Sequence, residues 1–255
     1  MNPAQATGRP ARAGELDAAL DAASGVEGWL SDDQARRLFE RAREARRIVE
    51  IGSFHGRSAI VMALAAPADA VITAIDPHAG SDRGPQEIEA DAAAGDSDFR
   101  TFHENLERAG VSERVRHVRS FSQEALREVE GELDLLYVDG AHRFAPARDD
   151  LRSWGARVRP GGHMLIHDSF SSVGVTLAIA RLLLAGGEFR YLGRAGSLAE
   201  YRREQLASRE RLLNAVRQLA QLPWFARNLA VKLAIVLGLR PLARLLGHRS
   251  GPWPY

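Results

Sequence analysis

Short apolar runs alternate with segments of helical periodicity through the middle of the chain. Seven of these runs have the length and apolar content of buried strands and end at polar or turn residues. They predict strands at 47–51, 71–75, 115–119, 133–138, 163–166, 188–191 and 197–201. Because helical segments separate the first five strands, the pattern predicts an α/β fold with a parallel, doubly wound sheet.

The segments between the strands carry apolar residues at the three- and four-residue spacing of helices. They predict helices at 58–65, 98–109, 122–129, 146–158 and 173–184. Residues 15–46 also predict helices, with a capping box formed by Ser31 and Gln34. We expect these N-terminal helices to cover one edge of the sheet. Residues 79–96 contain three glycines and no clear periodicity, which predicts a mobile loop over a site.

The first predicted strand leads through a glycine-containing loop into the first helix of the sheet. Glu50 lies at the end of the strand, Gly52 and Gly56 follow, and the helix begins near Ser58. Glycine permits a tight turn at 52 and close approach of a ligand at 56, where backbone N–H groups at the helix start can face that ligand. The spacing differs from the dinucleotide fingerprint and from a P-loop. The acid favours a ligand with a cationic group and hydroxyls over a pyrophosphate.

Acidic residues stand at the carboxyl ends of four predicted strands. They are Glu50, Asp76, Asp139 and Asp168, at the ends of the first, second, fourth and fifth strands. A carboxylate in such a position costs desolvation free energy unless something compensates it. Any one of them could be a helix N-cap or a turn residue. The four together predict an edge of the sheet that binds a cationic ligand.

The charge is close to balanced overall but unevenly distributed. The 255-residue chain has a formal net charge of +1, whereas residues 211–255 hold seven Arg or Lys and no Asp or Glu. The acidic remainder argues against a broad nucleic-acid-binding face. The absence of cysteine excludes disulfides, thiolate metal ligands and a cysteine nucleophile. Residues 1–14 lack the apolar core of a signal peptide and predict a disordered N-terminus, so the expected compartment is the cytoplasm.

These motifs resemble, in order and spacing, those of the class I S-adenosylmethionine (SAM)-dependent methyltransferases. Residues 50–58 resemble the E/D-x-G-x-x-x-G motif, and Asp76 occupies the place of the acid after the second strand. Residues 136–142, LYVDGAH, resemble the D-G-x-H segment of a bacterial branch related to catechol-type, macrolide and sugar O-methyltransferases. The turn at 160–162 and the pair at 167–168 match the same branch.

The resemblance implies a Rossmann-like, seven-stranded methyltransferase sheet at 47–201, with an N-terminal helical cap at 15–46 and a C-terminal helical extension at 202–255. It also implies where SAM binds. The glycine loop would wrap the methionine part and Asp76 would accept hydrogen bonds from the ribose hydroxyls. Ser122 and Gln123 would contact adenine, unless Ser122 is only the N-cap of its helix. The implied SAM-binding residues are Glu50, Gly52, Ser53, Gly56, Ser58, Asp76, Ser122 and Gln123.

The resemblance further implies chemistry at the ends of the fourth and fifth strands. Asp139 and Asp168 match positions that hold a divalent metal in relatives, and Mg²⁺ or Mn²⁺ would suit such ligands. His167 stands where several of those relatives have another acid, so the candidate metal ligands are Asp139, His167 and Asp168. Methyl transfer to a hydroxyl requires loss of a proton. The candidate catalytic residues are therefore His142, Asp139 and His167, with His142 as the base or, alternatively, as the cap of the helix near Pro146.

The C-terminal extension is basic, apolar and free of acidic residues after Glu210. A helix is predicted at 201–222, and Pro223 is expected to end it. The apolar run that follows is shorter than the about 20 residues needed to span a bilayer, and its cations do not share one face of a helical wheel. We expect residues 223–255 either to touch an anionic membrane surface or to pack on the domain or across a homodimer.

The sequence, with its resemblance, predicts a SAM-dependent enzyme that methylates a hydroxyl of a small molecule or glycan precursor. It would work in the cytoplasm, or peripherally at the inner face of the membrane. Two alternatives stay open. One is a catalytically silent protein of the same fold that docks on a membrane during glycan assembly, although the retained acids weigh against it. The other is a metal-dependent hydroxylase-like enzyme on this fold, which would share the acidic strand ends and His167.

Overall fold

The computed structural model, which describes residues 13–80 and 91–248, contains one seven-stranded sheet flanked by helices. The strands run in the order β3-β2-β1-β4-β5-β7-β6. Strands β1 to β5 are parallel, whereas β7 runs antiparallel to both β5 and β6. They are β1 (Arg47–Ile51), β2 (Val71–Ile75), β3 (Val115–Val118), β4 (Leu133–Val138), β5 (Val158–Ile166), β6 (Phe189–Ala195) and β7 (Leu198–Arg203). The predicted doubly wound α/β fold is confirmed.

The described residues contain ten α-helices, together with two short 3₁₀ segments and one π segment. The 3₁₀ segments are Ser112–Arg114 and Gly155–Arg157, and the π segment is Ala180–Leu184. The α-helices are α1 (Ala13–Ser24), α2 (Asp32–Ala42), α3 (Arg57–Ala65), α4 (Ala92–Arg108), α5 (Ser122–Ala125), α6 (Phe144–Ser153), α7 (Val173–Ile179), α8 (Ser208–Leu219), α9 (Leu222–Val236) and α10 (Arg240–Leu245).

The sheet has an apolar core on each of its faces because successive side chains of a strand point to opposite sides. Ile48 of β1 packs into the core that includes buried residues of α1, α2 and α3. Its neighbour Val49 packs into the second core, with buried residues of α6 and α7. Burial on both faces explains why the central parallel strands are almost continuously apolar.

The strand order reverses between β1 and β4, and this reversal opens a crevice at the carboxyl ends of the strands. Chains leaving neighbouring parallel strands on either side of such a point turn to opposite faces of the sheet. The loop after β1 stays tied to its neighbours, since Gly52 N donates to Ile75 O at 2.8 Å and Asp139 N donates to Ile51 O at 2.8 Å. The ends of β1, β2 and β4 are therefore held side by side.

The N-terminal cap is fastened to the sheet by a buried carboxylate. Glu200 of β7 lies 3.1 Å from Arg37 Nη1 and 2.5 Å from Arg41 Nε, both on α2, and 2.9 Å from His163 Nδ1 on β5. The predicted capping box is present at the start of α2, where Ser31 and Gln34 exchange hydrogen bonds. The cap therefore lies against β7, one strand in from the β6 edge.

Several predicted boundaries near the middle of the chain are wrong. Helix α4 begins at Ala92 rather than at residue 98 because Asp91 accepts hydrogen bonds from the backbone N–H groups of Ala93 and Ala94. Residues 91–96 of the predicted mobile loop are thus ordered, whereas 81–90 lie outside the described residues. Helix α5 stops at Ala125, short of the predicted residue 129, and β3 stops one residue early, at Val118.

The second half of the chain has longer strands than the sequence predicts. Strand β5 begins at Val158, where a helix was expected, and continues through Gly161, whose φ of +82° accompanies an irregularity in the pairing with β4. Helix α6 begins at Phe144 and ends at Ser153, and Gly155–Arg157 adds a 3₁₀ turn.

The predicted helix at 201–222 starts only at Ser208, since Tyr201 belongs to β7, and Pro223 begins α9 instead of only ending a helix. Proline is well suited to the first turn of a helix because the N–H that it lacks has no partner within the helix. No helix in the described part of the chain is long and apolar enough to cross a membrane. A disordered N-terminus is predicted for residues 1–14, of which 1–12 lie outside the described residues.

Candidate active site

The glycine loop between β1 and α3 fits only because two of its positions lack side chains. Gly52 has a φ of +84°, and a Cβ built on it would lie 2.1 Å from the carbonyl oxygen of Asp139. Gly56 has a φ of +88°, where a Cβ would come within 3.1 Å of the Phe102 ring. The loop therefore lies directly on the end of β4, and glycine is required at both turns.

Glu50 presents a buried, incompletely satisfied carboxylate beside this loop. The residue is 0% exposed, and Ser58 Oγ donates a hydrogen bond to Oε1. The other oxygen, Oε2, has no hydrogen-bond partner among the described residues. Burial raises the pKa of Glu50 to about 8, with further contributions from the charges of Asp139 and Asp76, although the Ser58 hydroxyl acts in the opposite direction. An unpartnered anionic oxygen at a strand end suits a cationic ligand group.

Asp76 organises the glycine loop from the end of β2. Its Oδ2 accepts hydrogen bonds from the backbone N–H groups of Ser53 at 2.9 Å and Phe54 at 2.8 Å, and its Oδ1 accepts one from His78 N at 2.8 Å. A carboxylate offers about four acceptor positions, so Asp76 retains capacity for a further donor such as a hydroxyl. The side chain links the first two strand ends of the crevice.

Ser122 and Gln123 meet a carboxylate that sequence reasoning missed. Ser122 Oγ and Gln123 Nε2 both donate to Oδ1 of Asp150, a buried residue of α6. The alternative interpretation of Ser122 as an N-cap is wrong, because the N-cap position is Phe121 and no side chain caps the helix. Burial raises the pKa of Asp150 despite these two donors. The pair thus fixes α5 to α6 beside the crevice.

His167 bridges the ends of β4 and β5. Its Nδ1 lies 3.1 Å from Asp139 Oδ1 and 3.7 Å from Asp168 Oδ1. The hydroxyl of Tyr137 donates to the other oxygen of Asp139 at 3.0 Å. Burial disfavours the charged imidazole, but the two carboxylates outweigh it and raise the pKa of His167 to about 9. A cationic imidazole therefore lies between two anions in a buried position.

His142 forms a second acid–imidazole pair with Asp168. The Nε2 of His142 lies 2.8 Å from Asp168 Oδ2. Burial opposes protonation of His142, yet Asp168 and Asp139 raise its pKa above the usual imidazole value. The alternative role of His142 as a helix cap is wrong, since Arg143 is the N-cap of α6 and no side-chain capping bond is made. Asp168 itself has a φ of +54°, and its pKa is lowered because His167 and His142 outweigh its burial.

A cleft runs beside these two imidazoles at the switch between β1 and β4. Polar groups come from the segment after β4 and from the end of β5, and apolar side chains of α6 and α7 close the other side. Its walls include Asp139, Gly140, His142, His167, Leu151 and Val175. The arrangement places an imidazole that is backed by a carboxylate on the wall of a small cleft.

The candidate metal ligands do not fit a metal ion in this arrangement. Asp139 and Asp168 both direct an oxygen at Nδ1 of His167, so this nitrogen is their shared partner. No three His, Asp or Glu side chains among residues 13–80 and 91–248 are placed to hold a metal ion. We therefore assign these three residues to a charge-paired cluster.

The C-terminal helix α9 braces the segment that carries Asp168. The side chain of Asn228 donates to Phe170 O at 3.2 Å, and Lys232 Nζ donates to Ser171 O at 3.0 Å. Phe170 has a φ of +55°, so this segment contains two residues in a conformation that L-residues rarely adopt. Sequence reasoning missed both braces, which lie about 60 residues further along the chain. The one available signal is that Lys232 is the only lysine among 34 basic residues.

Replacing Lys232 with methionine should lower kcat about tenfold while SAM affinity stays within about twofold. Methionine keeps the apolar stem but leaves Ser171 O without its donor and removes a charge that lowers the pKa of Asp168. The acid limb of the rate profile should consequently move to higher pH. Steady-state kinetics across pH, with Lys232→Arg as the charge-conserving control, would check this. An unchanged kcat and profile would contradict the bracing role.

Comparisons with known proteins find similarity to methyltransferases. Residues 49–169 match the sequence profile of a family described as a methyltransferase domain. A putative O-methyltransferase from Klebsiella pneumoniae is 22% identical, with a TM-score of 0.53 over 79% of this chain and 92% of that one. The O-methyltransferase from Bacillus cereus in complex with SAH is 18% identical, with a TM-score of 0.53 over 76% and 92%. No curated protein sequence matches the chain.

A eukaryotic structure shares the fold as well. The SAH-bound Podospora anserina methyltransferase PaMTH1 is 15% identical, with a TM-score of 0.54 over 78% of this chain and 91% of that one. At these identities the structural likeness concerns the fold alone, and the family match concerns residues 49–169. The glycine loop of residues 50–58 lies inside the matched region, at the switch point of the shared sheet. Residues 49–169 are therefore similar to a methyltransferase domain, and the sheet around them has the fold of the solved methyltransferases.

Proposed function

We propose that this protein transfers the methyl group of SAM to a hydroxyl of a small molecule or glycan precursor. The observation that carries the proposal is the pair formed by His142 and Asp168, 2.8 Å apart, on the wall of the cleft. The glycine loop of residues 50–58 lies across the end of β4 from that wall. Resemblance to O-methyltransferases in the D-G-x-H segment supports oxygen as the acceptor atom.

The residues of the glycine loop fit the methionine end of SAM. SAM supplies a methyl group on a positively charged sulfur, which makes that carbon open to attack. Glu50, with its unpartnered Oε2, would bind the ammonium group, and Gly52, Ser53, Gly56 and Ser58 would leave room for the methionine chain. Asp76 would accept from ribose hydroxyls. Ser122 and Gln123 would lie at the adenine end, where Asp150 already positions them.

His142 would remove the proton from the acceptor hydroxyl. Because Asp168 lies beside Nε2, it favours a proton on that nitrogen and leaves Nδ1 as the basic atom. Asp168 would also stabilise the imidazolium that forms. His167 would hold Asp139 and Asp168 apart in fixed positions, and the Tyr137 hydroxyl would orient Asp139. The proton thus passes from the acceptor oxygen to His142 as the oxygen attacks.

Calorimetry and product analysis on the full chain test this function. We expect saturable binding of SAM and of SAH and none of NAD, which separates the proposal from an oxidoreductase on the same fold. With SAM labelled in its methyl group, a panel of catechols, sugars and macrolides should yield one product in which an oxygen carries the label. We expect the rate to be the same with and without a chelator, because His167 already pairs with both carboxylates.

Three results would each contradict a part of the proposal. Failure of the folded protein to bind either SAM or SAH would remove the cofactor assignment. Label found on nitrogen, sulfur or carbon of the acceptor would remove the hydroxyl assignment and leave the enzyme class intact. Loss of activity on chelation, restored by Mg²⁺ or Mn²⁺, would show that the cluster rearranges around a metal ion.

A further inference from the structure

Helix α9 turns Asn228 and Lys232 toward the protein, beside the buried Val231 and Ala234, and leaves a second row of apolar side chains exposed. Asn228 is 0% exposed and bonds to Phe170 O, and Lys232 bonds to Ser171 O. The opposite face follows helical spacing of three and four residues and is exposed along its whole length. Every residue of that face is apolar: Leu222, Ala226, Ala230, Leu233 and Leu237. This is the reverse of a surface helix on a soluble domain.

The neighbouring helices repeat the inversion. Helix α8 buries Asn214 and Gln218, which hydrogen-bond to Phe189 and Tyr191 of β6, Tyr201 of β7 and Leu183 before β6, while it exposes leucines and a valine. Helix α10 exposes Leu242 and, at 82%, Leu245. We call the exposed apolar side chains of α9 and α10 with their connection the outer face; its large members are Leu222, Leu233, Val236, Leu237, Leu239, Leu242 and Leu245.

The exposed large apolar side chains are concentrated in the C-terminal helices rather than scattered singly over the surface. Helices α8 to α10 with their connections hold more than half of the exposed large apolar side chains in the described chain. Each large apolar side chain left in water forfeits roughly 1.5–3 kcal/mol relative to burial. A contiguous patch of this kind marks an interaction site for a protein or a membrane.

The charges around the outer face favour an anionic surface as its occupant. Arg240 and Arg244 are exposed among its leucines, and the chain has no acidic residue after Glu210. A two-fold dimer would place this patch against its own copy. Arginines would then face arginines with no carboxylate from the patch between them. Anionic lipid headgroups instead attract each such cation by about 1 kcal/mol.

We propose that the outer face of α9 and α10 docks the protein on an anionic phospholipid membrane. The leucines would insert among the acyl chains near the headgroups, and Arg240 and Arg244 would contact lipid phosphates. The cations of this segment do not share one face of the helical wheel, because two of them bond to the rest of the protein. Arg227 donates to Leu246 O and Lys232 to Ser171 O, so these two serve the fold and not the lipid.

The docked orientation would bring the membrane close to the catalytic cleft. Asn228 and Lys232 bond to the segment after Asp168 from the side of α9 opposite to the outer face. The diameter of a helix with its side chains is about 10 Å, so the lipid surface would lie roughly one helix from that segment. This step rests on the proposed function, whereas docking itself does not.

Vesicle flotation with the full chain tests the docking. We expect the protein to float with phosphatidylcholine vesicles that contain 30% phosphatidylglycerol and to bind pure phosphatidylcholine at least about tenfold more weakly. The double variant Leu233→Glu/Leu245→Glu should lose at least about tenfold in partitioning, and so should Arg240→Gln/Arg244→Gln. Glutamate is a good helix former, so the substitutions should leave α9 and α10 intact.

Leu64→Glu is the matched control, because Leu64 is an exposed leucine of α3 on the other side of the molecule's sheet. This variant should float as the parent does, and all variants should keep their SAM affinity. Equal binding to neutral and anionic vesicles, or flotation unaffected by Leu233→Glu/Leu245→Glu, would overturn the proposal. A micromolar dimer in sedimentation analysis that the same double variant converts to monomers would assign the outer face to a second copy instead.

Discussion

Replacing His142 with glutamine should lower kcat by about 10²–10⁴-fold, the usual contribution of a positioned base. Glutamine retains a hydrogen-bonding group beside Asp168 Oδ2 but cannot take a proton from the acceptor. SAM affinity should stay within about twofold, since the proposed SAM-binding residues lie on the loop at 50–58 and at the ends of β2 and β3. Rapid-mixing kinetics together with calorimetry would measure the two effects separately.

The pH dependence provides the control for this variant. Asp168 and Asp139 raise the pKa of His142, so the unprotonated base is gained only above the usual imidazole range. The rate of the parent enzyme should therefore rise with pH through neutrality and reach a plateau, and the His142→Gln variant should lose that rise. His103→Gln, on α4 in the aromatic cluster with Phe102 and His117, should change neither quantity. A full rate in His142→Gln would assign the proton transfer to another group.

Replacing Glu50 with glutamine should weaken SAM binding by roughly 10- to 100-fold, the range expected for one hydrogen bond to a charged group. The substitution keeps the shape of the side chain and its contact with Ser58. It removes the negative charge that the unpartnered Oε2 would offer to the ammonium of SAM. Titration calorimetry at pH 8 would measure the loss, and binding equal to that of the parent would contradict the role of Glu50.

Glu50 should also make the ligand-free protein less stable as pH rises. Its pKa is about 8 in the folded state and 4.5 in the reference state, so between these values the folded chain holds a proton that the unfolded chain has lost. The free energy of unfolding should fall across that window by on the order of a few kcal/mol. SAM affinity should rise over the upper part of the window, because binding needs the ionised carboxylate. Chemical denaturation would measure the unfolding free energy of both proteins against pH. The slope should be smaller for Glu50→Gln, and an identical slope in both proteins would contradict the assignment.

The central strands could be predicted because their environment leaves little choice of sequence. Strands β1, β2 and β4 have the predicted bounds, and each is buried by helices on both faces, which demands an uninterrupted apolar run. The antiparallel strands β6 and β7 extend past the predicted ends, to Ala195 and Arg203, because their backbones go on pairing where the apolar pattern stops. Strand β5 passes through Gly161, which local rules assign to a turn.

The candidate site was predictable where it follows from one strand end and its loop. Glu50, Asp76, Asp139 and Asp168 meet along one edge of the sheet, linked by the glycine loop and His167. Partners that arrive from distant helices have no local signal. Asp150 reaches Ser122 from 28 residues away and Asn228 reaches Phe170 from 58. Only the folded chain reveals such pairs.

The metal hypothesis illustrates a different limit of sequence reasoning. Residue types at 139, 167 and 168 are compatible with metal ligation, and composition cannot say in which direction each side chain points. In the structure the imidazole of His167 lies between the carboxylates as their counter-charge. Whether three such residues share an ion or neutralise one another depends on rotamers, which the sequence does not determine.

The hydrogen bonds from α9 limit how far the protein can be shortened. A fragment that ended at Arg203 would retain all seven strands, yet it would strip the donors from Phe170 O and Ser171 O and remove the lysine that lowers the pKa of Asp168. The smallest fragment with full activity is therefore expected to include α9. Removing the apolar C-terminal helices to improve solubility would therefore give a folded protein with a lower kcat.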